Sequence, residues 1–397
     1  MEVSARLRRS PRARDLPQAR VRFAVVLTVL LGLLRELRLG AEDHVDSKFE
    51  YYAEERGRVQ VRTLSTLFEQ ALTPWLSLKG SVIYDGISGA TPTGGPVLTG
   101  GTGVPLARLQ DDRYAAFLEP SFRWGRQTFQ PQFAYSIEND YESIGTTLNY
   151  LLDFNQRNTT LHAGITHNFD TLTGGIYLGP RPRQKESTDF LLGLTQTLTP
   201  TTLFNATVTF GRADGYLSDP YKGFRFTEYP VEEALFPERR PSHRTKQIFS
   251  TSLTQFVGPL DGSAELTYRF YHDSFGLIGH TATLEWFQNV GRRLVLVPLF
   301  RYYEQSAADF YLLSFDADPS DRDNPNNALV PAHYSSDYRL SSLRTFTYGL
   351  SARVKIRNRL FFEAAYQRYE MAGLDGVTPF SNFPCANIYT MGLRLHF

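Results

Sequence analysis

Alternation of apolar and polar residues with a period of two constrains this chain more than any other feature. It is plainest in the last nine residues. Tyr389, Met391, Leu393, Leu395 and Phe397 fall on one face of an extended strand, and Thr390, Gly392, Arg394 and His396 on the other. Side chains alternate across a strand, so one face here is apolar and the other polar. The pattern recurs through the chain: Ala264, Leu266, Tyr268 and Phe270 alternate with Glu265, Thr267, Arg269 and Tyr271. An edge strand of a soluble sandwich would also read this way once, but not repeatedly over 350 residues.

Aromatic residues make up 14% of the chain, yet hydrophobic residues reach only 42%, and no apolar run is long enough for a membrane helix. Strands that face lipid reconcile the two facts, because only every second residue must then be apolar. The single cysteine, Cys385, excludes an intrachain disulfide and a cysteine-based metal cluster.

The first 22 residues carry seven arginines, and Phe23 to Leu34 is a continuous apolar run followed by Gly40-Ala41. A basic region, a short apolar region and small residues at the end make a secretory signal peptide over 1–41, cleaved near Ala41. Nine of the 42 Lys+Arg and three of the 41 Asp+Glu lie in this leader, leaving 33 and 38 in residues 42–397, a net charge of −5. No nucleic-acid partner is expected from that balance.

Tight turns alternate with long polar loops beyond the leader. The turns are Leu72-Thr73-Pro74, Trp124-Gly125-Arg126, Asn155 to Asn158, Leu198 to Thr201, Gly258 to Gly262, Asn289 to Arg292 and Ile356 to Arg359. Pro, Gly and Asn supply the backbone angles such turns need. Long loops are expected near 87–112, 168–186, 212–244, 305–342 and 371–386. The strands counted through these turns number about 16, near 47–53, 59–71, 75–86, 113–124, 128–138, 142–153, 158–168, 187–198, 202–211, 245–257, 262–272, 280–289, 293–304, 343–356, 359–369 and 387–397. The expected fold is all-β: a transmembrane antiparallel up-and-down β-barrel with short turns on one side and long loops on the other. An even strand count returns both chain ends to the same side.

The expected place is the outer membrane of a Gram-negative bacterium, with outer-membrane lipid and lipopolysaccharide as surroundings. Tyr389, Leu393, Leu395 and Phe397 form a closing strand with an aromatic last residue, the type that the barrel assembly machinery recognises after periplasmic chaperones deliver the chain. Trp75, Tyr84, Trp124, Tyr135, Trp286 and Tyr366 would sit at the membrane interfaces, where amphipathic rings belong.

Inward positions carry both charge signs. The pore-lining candidates are Lys79, Asp85, Glu119, Arg123, Glu265, Arg269, Glu285, Arg301, Arg353, Glu363 and Arg394, joined by Glu138 and Lys355. Opposing rings of charge in a water-filled lumen would set selectivity; alternatively these groups pair and stabilise a partly filled barrel.

The stretch Tyr84-Asp85-Gly86-Ile87-Ser88-Gly89-Ala90-Thr91-Pro92, together with Val45 to Glu54, resembles a family of bacterial outer-membrane proteins catalogued as domain of unknown function 3570. The similarity runs from about Val45 to Phe397. It implies a barrel and no established activity. Members lie beside genes for thioredoxin-like and flavin-attaching periplasmic proteins, which implies a redox-linked export or surface role and a periplasmic redox partner. Two readings of the motif loop (Asp85, Gly86, Ser88, Gly89, Thr91 and Pro92) stand: an extracellular turn that satisfies its own backbone, or a loop folded into the mouth to narrow it.

Other chemistry is sparse. The oxygen-rich stretch Asp316 to Asn324 lacks the glycine and closing glutamate of a calcium loop, and the scattered histidines show no metal-binding spacing. No metal or cofactor is expected. Pro237-Glu238-Arg239-Arg240-Pro241 reads as an exposed loop, with lipopolysaccharide phosphates as the alternative contact, and Cys385 as a small surface residue in a loop. An outer-leaflet lipid hydrolase would need a Ser–His pair on neighbouring strands at the lipid-facing rim; Ser250 and His272 fall on adjacent strands but near opposite ends, so this is the least favoured reading. The expected function is a channel or export conduit for a small polar solute, not an enzyme. The alternative is a closed scaffold whose loops bind a partner.

Overall fold

A computed structural model describes residues 43–97, 103–229, 234–319 and 330–397. The leader assigned to 1–41 lies outside the described residues, as does most of the acidic stretch 316–324. The strands in chain order are β1 (His44–Glu54), β2 (Gln60–Thr73), β3 (Leu76–Pro92), β4 (Leu106–Trp124), β5 (Gln127–Ile137), β6 (Tyr141–Phe154), β7 (Thr159–Leu172), β8 (Arg183–Thr199), β9 (Thr202–Gly215), β10 (Gly223–Phe226), β11 (Phe236–Pro237), β12 (His243–Val257), β13 (Gly262–Asp273), β14 (Ile278–Val290), β15 (Leu294–Gln305), β16 (Ser314–Phe315), β17 (Leu343–Arg357), β18 (Leu360–Gly373) and β19 (Cys385–His396). Sixteen of them form one closed antiparallel barrel in sequence order, sealed where β19 pairs with β1 from Glu54↔Ala386 to His44↔His396. The other three, β11-β10-β16, make a small sheet inside the long loops. Closure leaves no barrel edge and pairs the backbone polar groups of every wall strand, which lipid requires.

The alternation decides which face is which. Leu64, Phe133, Leu192, Leu266, Leu350 and Met391 are all more than half exposed or close to it, and they share the outer face with their cross-strand partners. Tyrosines on that face hydrogen-bond to outward polar groups: Tyr84 to Asp112 at 2.7 Å, Tyr135 to Glu142 at 2.9 Å, Tyr366 to Asn387 at 3.0 Å and Tyr348 to Glu370 at 3.2 Å. These amphipathic rings mark the upper limit of the apolar band. Trp75 and Trp124 are exposed beside the tight turns at the opposite end.

Strands run further than a bilayer needs. A tilted strand crosses in about 10 residues, whereas β3 has 17 and β4 has 19. The loop expected at 87–112 is therefore half strand, and only residues 93–105 connect the two. Above the membrane the ladder continues on backbone hydrogen bonds alone, so the outward face no longer has to be apolar and the alternation signal fades. The motif glycine Gly89 lies inside β3 with φ +121°, and a Cβ there would stand 2.2 Å from the Arg58 carbonyl oxygen. Glycine is required because the first hairpin turn packs directly on this strand. Cys385 likewise proves to be the first residue of β19, opposite Glu370 on the outer face.

Candidate functional site: a chamber under the folded loops

Every sizeable apolar core cluster among the described residues belongs to the long-loop side. Phe275, Leu277, Ala308, Phe310 and Leu340 form one; Phe224, Phe226, Ala317 and Tyr334 a second; Tyr338, Leu343 and Phe383 a third. The loops thus fold into a cap with cores of its own. Polar staples join them. The Gly223 amide donates to the Thr93 carbonyl at 2.8 Å, and the Ser336 hydroxyl contacts the carbonyls of Gly94 at 2.8 Å and Gly223 at 3.0 Å. Lys222, almost fully buried, reaches Thr91 at 3.3 Å and the Pro92 carbonyl, and burial pulls its ammonium below the usual lysine range. Arg58 Nη1 donates to the Ser381 and Asn382 carbonyls at 2.9 Å each. The described ends of the connection at 93–105 are therefore tied to the other loops as well as to each other, the Thr93 amide donating to the Pro105 carbonyl at 3.0 Å.

An ionic cluster centres on Asp337. Arg240 donates to it at 2.8 Å and Arg339 Nε at 2.9 Å, while Arg240 also pairs with Glu238 at 2.7 Å and Arg339 with Asp219. Burial opposes ionisation of Asp337, yet Arg339, Arg240 and Lys222 hold its carboxyl well below the usual range. Burial wins at Glu238 and raises it. Pro237 to Pro241 is thus no simple surface loop: Glu238 and Arg240 are built into the cap, and of the two arginines Arg239 is the exposed one.

Between cap and barrel wall lies a cavity of about 580 Å³. Arg244, Arg269, Tyr271, Tyr303 and Gln305 line it from the wall, and Asp219, Tyr221, Arg240, Asp337 and Arg339 from the cap. The two sides are bonded together: Tyr303 donates to Gln305 at 2.6 Å, and Gln305 Nε2 donates to the carbonyls of Arg339 at 2.9 Å and Ser341 at 2.8 Å. Arg244 donates to Asp273 and, at 2.8 Å, to the Tyr271 hydroxyl. At the chamber's far edge are Glu138 and Asp140, whose carboxyls with that of Asp111 lie within 4.8 Å of one another. Burial, then Asp111 and Asp140, raises Glu138 to about 7; burial and Asp111 raise Asp140 to about 6. This is the one grouping among the described residues with the reach of a metal site, and Tyr221 already donates to Asp140 and Asn139 to Asp111.

The structure sorts the charges selected from sequence. All eleven candidates fall on the lumen-side register positions. Asp85 accepts from Thr63 at 2.5 Å and Arg113 at 2.6 Å, Arg394 chelates Asp46 at 2.7 and 2.5 Å, and Glu363 lies between Arg353 at 3.2 Å and Lys48 at 3.7 Å. Lys79 faces Glu119 and Glu265 faces Glu285 across neighbouring strands. Arg123 stands opposite Thr128 beside a tight turn, and Arg269 and Arg301 have no ion pair among the described residues. Of the eleven, only Arg269 lines the chamber. Arg240 and Arg339 escape a sequence reading because the loops that gather them carry no periodic signal, and Arg244 because β12 begins at His243, earlier than its alternation shows. The Ser250–His272 arrangement fails, though not because the two lie near opposite strand ends: they are only three positions apart in register. Ser250 pairs with inward Arg269, whereas His272 lies two residues beyond outward Phe270, so the two side chains occupy opposite faces of the wall.

The family described as "Protein of unknown function (DUF3570)" matches residues 99–176 and 179–378. The chain belongs to the DUF3570 family. Its matched part begins beyond both Val45–Glu54 and Tyr84–Pro92, the stretches that carry the resemblance in the sequence. No curated protein matches this DUF3570 chain. Among solved structures, the siderophore receptor PirA from Pseudomonas aeruginosa aligns with 84% of the chain at 10% identity and a TM-score of 0.41. The DUF3570 chain spans 57% of that receptor's length. A bacterial polysaccharide outer membrane secretin aligns with 91% of the chain and 100% of its own length at 8% identity and TM-score 0.49. CdiB from Acinetobacter baumannii aligns with 89% of the chain and 60% of its own length at 8% identity and the same TM-score.

Proposed function

We propose that this DUF3570 protein is a narrow conduit for a small polar solute in the outer membrane of a Gram-negative bacterium, entered through the chamber under its folded loops. One observation carries the reading. Beneath the cap, lumen-facing charges stay accessible to water: the side chains of Lys48 and Arg353 are 45% and 47% exposed although both point inward. Both lie within about five residues of the tight-turn end, where a filled lumen would bury them, so a lumen open to water from that end supports conduction better than a solid barrel does. The role is non-enzymatic, in keeping with the opposed faces of Ser250 and His272.

Planar-bilayer recording on the refolded, heat-modifiable protein tests this. Steady current steps with a defined reversal potential are expected. Their absence from correctly folded protein would overturn the conduit and favour the second reading, which the interlocked cap supports: a closed scaffold whose loops bind a surface or periplasmic partner.

A further inference from the structure

We infer that the chamber binds an oxyanion, the carboxylate or phosphate group of a small solute. The inference deepens the conduit reading, on which its part in transport rests, but the site is defined by its own geometry.

By formal count the chamber is balanced; by what a solute would touch, it is not. The carboxylate partners of its arginines are sunk behind them. Glu238 and Asp273 side chains are 0% exposed and Asp337 1%, whereas Arg240 is 12%, Arg244 30% and Arg339 50% exposed. A solute in the cavity therefore meets guanidinium edges. A guanidinium carries five N–H donors and no acceptor, so an arginine that spends two of them on a buried carboxylate still presents others.

Arg269 adds what those three lack. It lines the same cavity from β13, has neither ion pair nor hydrogen bond among the described residues, and lies over the Tyr271 ring at 5.7 Å. Tyr271 is itself fixed by Arg244 and by Asp273 at 2.7 Å. The free guanidinium is thus held on a rigid aromatic support with its fork available, and a planar fork matches carboxylate or phosphate oxygens in pairs. Deeper in the lumen, Arg301 on β15 is a second guanidinium without an ion pair among the described residues. The acidic groups at the edge do not reverse the sign: Asp219 is taken by Arg339, and burial keeps Glu138 and Asp140 largely protonated at mildly acidic pH. A volume of about 580 Å³ suits a small organic acid or phosphate ester.

Titration calorimetry on the folded full-length protein at mildly acidic pH tests the site, with inorganic phosphate and succinate as separate probes and choline as the cationic control. Binding of at least one oxyanion and none of choline is expected, the stronger oxyanion telling a tetrahedral from a planar preference. Arg269→Gln should weaken that binding at least about tenfold, R269K less, and R126Q, in the exposed turn between β4 and β5 away from the chamber, not at all. If R269Q does not fold, partial block by phosphate of a wild-type anion current serves in its place. No oxyanion binding to heat-modifiable protein, equal binding by R269Q, or preference for choline would overturn the inference. Current steps without binding of either oxyanion would sink this site and spare the conduit; oxyanion binding without current would do the reverse.

Discussion

Asp337 accepts hydrogen bonds from Arg240 at 2.8 Å and from Arg339 at 2.9 Å while only 1% exposed, so one carboxylate holds two cap arginines in place. Its removal takes one of two carboxylate partners from Arg240, itself mostly buried, and leaves it Glu238 alone. Breaking a buried pair from one side costs about 3 kcal/mol or more. The barrel ladder does not depend on this contact, so the cost should fall on the cap alone. D337A is expected to keep heat-modifiable migration while tryptic cleavage within 216–242 and 306–342 speeds up about tenfold or more. Unchanged cleavage would mean that the apolar clusters suffice to hold the cap.

Glu138 and Asp140 make the chamber sensitive to pH. Both carboxyls are raised, to about 7 and about 6, so each is neutral below and negative above its own value. Raising the pH through 6 and 7 adds negative charge at the chamber edge, beside Asp111 and Asp219 and against Arg113. Oxyanion affinity should therefore fall across that interval. E138Q should flatten the upper part of the profile and D140N the lower part. A profile that stays steep in the double variant would place the titrating group elsewhere.

Gly89 tests whether the motif is structural. Its φ of +121° and the 2.2 Å approach of the Arg58 carbonyl leave no room for a methyl group. G89A should destabilise the protein by about 1–3 kcal/mol, read as earlier loss of heat-modifiable migration. At Gly86 a Cβ would meet only the end of the Tyr84 side chain, at 3.1 Å, so G86A should stay within about 1 kcal/mol of wild type. Equal effects would remove the special role of the hairpin contact.

The barrel was legible because its signals are local. A period of two fixes each strand's face, and Pro, Gly and Asn fix its turns, so the sixteen expected segments coincide with the sixteen wall strands. Pairing was not legible. Arg394 finds Asp46 from 348 positions away and Arg58 finds the Ser381 carbonyl from 323, and nothing in either neighbourhood names the other. The cap was hidden for the same reason: Phe224 and Tyr334, whose rings stand 4.7 Å apart, belong to loops without periodicity. Ser250 and His272 show the cost of ignoring parity, since residues close in register can still lie on opposite sides of the wall.

The connection between β3 and β4 gives a direct test of the cap's part in conduction. Its base is closed by the Thr93 amide on the Pro105 carbonyl at 3.0 Å, so the segment between them can be exchanged without disturbing either strand. A cut over 87–112 would instead remove the paired ends Ile87↔Asp111 to Pro92↔Leu106 and confuse loss of fold with loss of a constriction. Replacing residues 94–104 by a short Gly-Ser turn removes the Gly94 carbonyl that Ser336 holds at 2.8 Å and the Val104 amide that donates to Ser381 at 3.2 Å. If the cap restricts the mouth, step conductance should rise roughly twofold while strand content is unchanged. If conductance stays the same, the narrowest point lies lower, among the charges Arg269, Arg301, Glu265 and Glu285, and single substitutions there should then change the current where the loop exchange did not.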